Sequence, residues 1–95
     1  MVIGVVKLTL RITGCRSLKE KRKVVKSMVG RIRNHFNVSA AEVGANDIHQ
    51  RAEIGFALLG NSGRLVNAKV DKLINMAHDL ALAEIISSEM EIIHL

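Results

Sequence analysis

The chain has 95 residues, 48% of them hydrophobic, with 14 Lys and Arg against nine Asp and Glu, a net charge of +5. That length is one domain able to bury roughly 60–68% of its unfolded surface, and so much apolar content excludes a disordered tail. No apolar run approaches the ~20 residues of a membrane span, and the single cysteine, Cys15, excludes an internal disulfide and favours a reducing cytoplasm.

Only Phe36 and Phe56 are aromatic, and proline is absent, so the core must be aliphatic and the turns must be made by Gly and Asn. Residues 2–12 alternate, with Val6, Leu8, Leu10 and Ile12 on one face and Val5, Lys7, Thr9 and Arg11 on the other. Period two with β-branched residues predicts a strand with one wetter face. Thr13, Gly14 and Cys15 read as a loop, with Cys15 a small loop residue rather than a nucleophile, since no histidine is near it in sequence.

Ser17-Leu18-Lys19-Glu20 has the spacing of a capping box. The Ser17 hydroxyl caps the Glu20 amide, and the Glu20 carboxylate reaches back to the Ser17 amide. Leu18, Val25, Val29, Ile32 and Phe36 recur at three-, four- and seven-residue steps and predict a helix over 18–36, ended by Asn37.

Residues 38–43 and 50–59 read as two strands joined by turn chemistry at 44–47, an antiparallel hairpin with Ala52, Ile54, Phe56 and Leu58 facing inward. Gly60-Asn61-Ser62-Gly63 is read as a strand-to-helix turn. Val66, Val70, Leu73, Ala77 and Leu80 then mark a second amphipathic helix over 64–81. A fourth strand over 85–94 has an ambiguous inward face: Ile86, Met90 and Ile92 fit one side, Ile85 and Ile93 the other. The order β-α-β-β-α-β predicts an α+β, ferredoxin-like βαββαβ fold, a four-stranded antiparallel sheet with both helices on one face.

Charge is concentrated in residues 16–33, which hold eight Lys or Arg and one acid, Glu20, while the rest of the chain sums to −2. At 100° per residue, with Leu18 at zero, Lys19, Arg22, Lys23, Lys26 and Arg33 fall between about 40° and 140°. This projection predicts a cationic strip down one flank of the buried face, with Lys21 on the opposite flank and Arg31 on the outer back. Like charges at these spacings repel, and phosphates along a nucleic-acid backbone would relieve that repulsion and release counterions. Gly30 lies inside the strip. It costs helix stability, and either lets a neighbouring element pack or permits close approach of a partner's backbone. Lys19, Arg22, Lys23, Lys26 and Arg33 are the expected phosphate contacts, with Arg16 and Arg51 peripheral to them. A membrane surface is disfavoured because the core needs this helix's apolar stripe.

Sheet aromatics for base stacking are missing, so the expected binding is led by shape and phosphate, and is salt-sensitive. His35, His49, His78 and His94 show no metal-ligand spacing, and no phosphate-binding glycine motif occurs, so no metal or cofactor is expected, and no small-molecule ligand is identified, a site between two sheets staying open. Asp47, His49, Gln50 and Arg51 form the densest polar group. With no nucleophile or oxyanion donor beside them, they read as a hairpin turn in which Asp47 bonds its own backbone, and no catalytic residue is assigned.

S-L-K-E-K-R at 17–22, then F-N-V-S, A-E-V and D-x-x-Q-R-A through Ala52, resemble the small bacterial YlxP-like proteins. The matching positions are Ser17, Leu18, Lys19, Glu20, Lys21, Arg22, Glu42, Asp47, Gln50 and Arg51. His49 departs from the pattern, since relatives often carry Trp there. The resemblance implies a ferredoxin-like fold and no settled activity. The frequent placement of the family's genes beside those for translation initiation and ribosome maturation factors implies association with RNA or the ribosome. The expectation is therefore a non-catalytic, cytoplasmic RNA- or ribosome-associated protein. The alternative is a homo-oligomeric interaction or scaffolding module, a homodimer in its simplest form, assembling through an edge strand or through the open sheet face that carries Val5, Ala41 and Ile93.

Overall fold

The computed structural model describes all residues, 1–95. Its elements are β1 (Val2–Arg11), α1 (Leu18–His35), β2 (Ser39–Gly44), β3 (Arg51–Gly60), α2 (Gly63–Leu80) and β4 (Glu84–His94). The four strands form one sheet in the order β2-β3-β1-β4, every neighbouring pair antiparallel. β1 and β2 flank β3 and are joined through α1, which is the split βαβ arrangement of a ferredoxin-like fold.

Alternation in β1 and β3 sends Val6, Leu8, Leu10, Ala52, Ile54, Phe56 and Leu58 to the helix side, where all are buried. Met28 and Ile32 of α1 and Val66, Val70, Leu73 and Ala77 of α2 close over them. Gly4 of β1 sits directly beneath α2. A Cβ there would stand 2.8 Å from the γ-methyls of Val66 and of Val70, so only glycine lets the helix come this close.

β4 departs from simple alternation. A register shift between Thr9 and Leu10 of β1 places Ser87 opposite Thr9 but Ile85 opposite Leu10, leaving Ile86 as the extra residue of a bulge. The bulge resolves the ambiguity of this strand. Ile85 shares the helix-side face with Met90 and Ile92, and Ile86 falls outside the alternation.

Both helices begin as the serines require. The Ser17 hydroxyl accepts from the Glu20 amide at 3.1 Å, and the Ser62 hydroxyl accepts from the Leu65 amide at 3.4 Å. The predicted capping box is half realised. The Glu20 carboxylate accepts from the Arg16 amide at 2.8 Å, one residue before the expected Ser17 amide. α1 ends at His35, and Phe36, rather than Asn37, caps it by donating its amide to Ile32 O. Cys15 is buried, and its thiol donates to Ser17 O at 3.3 Å, in keeping with a packed loop residue.

Candidate nucleic-acid interface

α1 is rotated relative to the sequence projection. Its buried residues are Lys21, Val25, Met28 and Ile32, a face centred about 50° from the axis drawn through Leu18 and Phe36. Leu18, Val29 and Phe36 are only half-buried. Two corrections follow. Lys21 is not on a solvent flank but inside the protein, and the basic strip lies further from the core than expected, on the helix's side and outer back.

Lys21 is 1% exposed. Its ammonium donates to Ala45 O and, at 3.0 Å, to Ile48 O, and stands 2.8 Å from Glu42 Oε2. The last approach is a charge contact outside hydrogen-bonding geometry, so this buried carboxylate oxygen has no aligned donor. A lysine carries three donors and no acceptor; the two carbonyls take two of them, and Glu42 supplies the counter-charge rather than a third aligned acceptor. The stem fills core space between α1 and the β2–β3 turn. Ala45 takes a left-handed conformation, φ 56°, at some cost for a residue with a Cβ. Its carbonyl accepts from both Lys21 and the Ile48 amide. The expected Asp47 bond to its own backbone is absent, and Lys21 does that work instead. Sequence pattern missed this because a lysine next to the apolar stripe reads as solvated, and burial depends on what lies opposite. Its one visible signal was its place in the family motif beside Glu42.

Lys19, Arg22, Lys23, Lys26 and Arg33 are all exposed along α1. None lies within ion-pairing distance of a carboxylate, and neither does Arg16 or Arg51; the protein's four ion pairs involve only Lys7, Arg11 and Lys21 as cations. Arg16 is exposed just ahead of α1, beside the strip. Arg51 is not brought to it. It pairs with Arg11 at the end of the sheet, out of phase with the inward-facing Ala52, and so points to the face away from the helices. Gly30 is exposed within the strip, and a Cβ built there meets nothing within 4 Å. No neighbouring element needs this glycine for packing.

The open sheet face carries a shallow trough of about 500 Å³, floored by Gly55 and Ala57 and walled by Val5, Ala41 and Val43. Lys7 bridges Glu53 at 3.7 Å and Glu89 at 3.4 Å beside it. Ile93 is on the same face, opposite Ile3. Asp47, His49 and Gln50 are all exposed on the turn that Lys21 holds. No helix is long and apolar enough to cross a membrane.

Fold and surface together define a small ferredoxin-like protein with an unpaired cationic strip along its first helix. The chain belongs to the family described as "Protein of unknown function (DUF503)", whose pattern matches residues 3–90. It is 41% identical over 61 residues to "Uncharacterized protein YlxP" of Bacillus subtilis, a match spanning 64% of this chain and 66% of that protein, just under two thirds of its length. A solved structure titled "Structural Genomics, protein YJCS" shares the fold, with a TM-score of 0.54 at 11% identity over 97% of this chain and 99% of that one. The YlxP-like resemblance read from residues 17–52 is thereby established, and with it the α+β fold.

Proposed function

We propose that this protein is a non-catalytic RNA-binding protein that lays the exposed side of α1 on the phosphate backbone of a structured RNA, the ribosome being the first partner to test. The observation that carries this reading is the row Lys19, Arg22, Lys23, Lys26 and Arg33, all exposed and none paired with a carboxylate. Such a row is self-repelling in the free protein, and phosphates are the counter-charge that matches its linear spacing. Gly30 supports the reading, because a glycine that serves no packing leaves the middle of the row flat enough for a backbone to approach. Cytoplasmic location and a salt-sensitive, sequence-tolerant mode of binding go with it.

The test is co-sedimentation with ribosomal subunits at two salt concentrations, using the parent and a variant with all five side chains changed to Gln. Five phosphate contacts correspond to a log–log salt slope of about −3.5 on single strands or about −4.5 on duplex, so the variant loses roughly that much slope while its circular dichroism is unchanged. Equal binding of parent and variant at low salt would refute the reading. A second reading, self-association through the open sheet face, is favoured by the apolar trough that Val5 and Ala41 line. A strictly monomeric mass at high concentration in sedimentation equilibrium excludes it.

A further inference from the structure

A second site lies where the sheet is unfinished. Ser39 of β2 pairs with Ala57 of β3, but β3 continues to Gly60, so Leu58, Leu59 and Gly60 pair with β1 on one side and have no strand on the other. The space left is a notch of about 780 Å³ between the C-terminal end of α1, residues 36–39 and α2. Its size is that of a small-ligand site.

The lining has two chemistries. Phe36, half-buried, and Leu59, 62% exposed at the rim on the far face of the sheet, supply its apolar lining. Arg33 and His35 from α1 and Lys69 from α2 stand around it, and no Asp or Glu lines it. Arg33 and Lys69 have no carboxylate within ion-pairing distance. Two uncompensated cations from different helices beside an aromatic ring fit an anion that carries a flat apolar group. Nucleotides have that composition, a phosphate joined to a base whose face stacks on aromatic side chains.

We infer that the notch takes one unstacked nucleotide, with its base against Phe36 and its phosphate between Arg33 and Lys69. Arg33 is also the last cation of the α1 strip, so the nucleotide is the one that leaves the end of an RNA helix laid along α1. The inference rests on the RNA reading for that continuity, but Phe36 and Lys69 belong to the notch alone.

The experiment uses a hairpin RNA with a short single-stranded 3′ overhang, the same hairpin with a blunt end, and free adenosine and uridine 5′-monophosphate. Affinities for the hairpins are measured by filter binding. The monophosphates are followed by ¹H–¹⁵N correlation spectra. The overhang is expected to improve affinity on the order of tenfold, the lower part of what stacking one base confers. Lys69→Ala and Phe36→Leu, each with the parent's circular dichroism, are expected to abolish that advantage while leaving blunt-hairpin affinity unchanged. Shifts at the Asn37 and Leu59 amides with a monophosphate, without an overhang advantage, identify a free nucleotide as the ligand and still support the notch. The same shifts with neither hairpin bound leave the notch standing and remove the α1 reading. An overhang advantage that survives both substitutions, or no shifts together with no advantage, overturns the inference.

Discussion

Replacing Lys21 with Met tests the central structural claim, that a buried ammonium holds the β2–β3 turn to α1. Methionine keeps an unbranched stem of similar reach and removes only the charged end. Two hydrogen bonds from a charged donor, to Ala45 O and Ile48 O, are lost, together worth roughly 3 kcal/mol. Glu42, whose side chain is 21% exposed, is left with a buried oxygen facing no cation, which adds to the loss. Two effects subtract. Ala45 is half-buried and Ile48 exposed, so their carbonyls can hydrate once freed, and the cost of burying an ammonium is removed. The net expectation is a loss of about 2–4 kcal/mol, or a fall in Tm of roughly 10–25 °C for a chain of this length. Urea titration followed by far-ultraviolet circular dichroism measures it, since the chain has no Trp or Tyr to report by fluorescence. Adding Glu42→Leu to Lys21→Met is expected to recover part of the loss, because the isolated carboxylate goes with it. A single variant within about 0.5 kcal/mol of the parent, the range of a surface substitution, would show that the ammonium does not hold the turn.

Two further substitutions separate stability from binding. Gly30→Ala is expected to stabilise the protein by about 1 kcal/mol, since the added Cβ meets nothing, and to weaken RNA binding if a backbone approaches there; urea titration and filter binding on the same preparation report both. Gly4→Ala is expected to destabilise by about 1–3 kcal/mol, because its Cβ would press on the fully buried Val66 and Val70. A stable Gly4→Ala variant would mean that α2 is free to lift from the sheet.

Local pattern was a good guide wherever one face of an element decides its environment. β3 alternates strictly and β1 does so except at Thr9, which is buried although the period of two put it on the wetter face; the inward residues of both strands are those the period assigned. α1 begins at the serine whose spacing marked it, and α2 begins at Ser62, within the turn read ahead of it. β4 was ambiguous because its one bulge changes phase at Ile86, and a bulge is a property of two strands rather than one. The candidate strip was legible as a set of residues, since a run of unbalanced Lys and Arg needs no fold to be seen. Its position relative to the core was not legible. The projection was anchored on Leu18 and Phe36, which lie at the ends of α1, where burial is incomplete. The middle of the helix, around Val25 and Met28, defines the true face.

By itself, then, the amino-acid order determined which elements form and in what sequence, through periodicity and capping that act within about one turn or a few residues. It also determined that the excess positive charge belongs to one helix. Only the tertiary structure decided which of those charges are available. It took Lys21 out of solvent by setting two carbonyls and Glu42 against it, and it took Arg51 to the opposite face. It also joined Arg33 to Lys69, 36 positions away in sequence, around a notch left by a short β2. A side chain's type fixes the charge it can carry, but its neighbours across the fold set whether that charge is spent inside the protein or left for a partner.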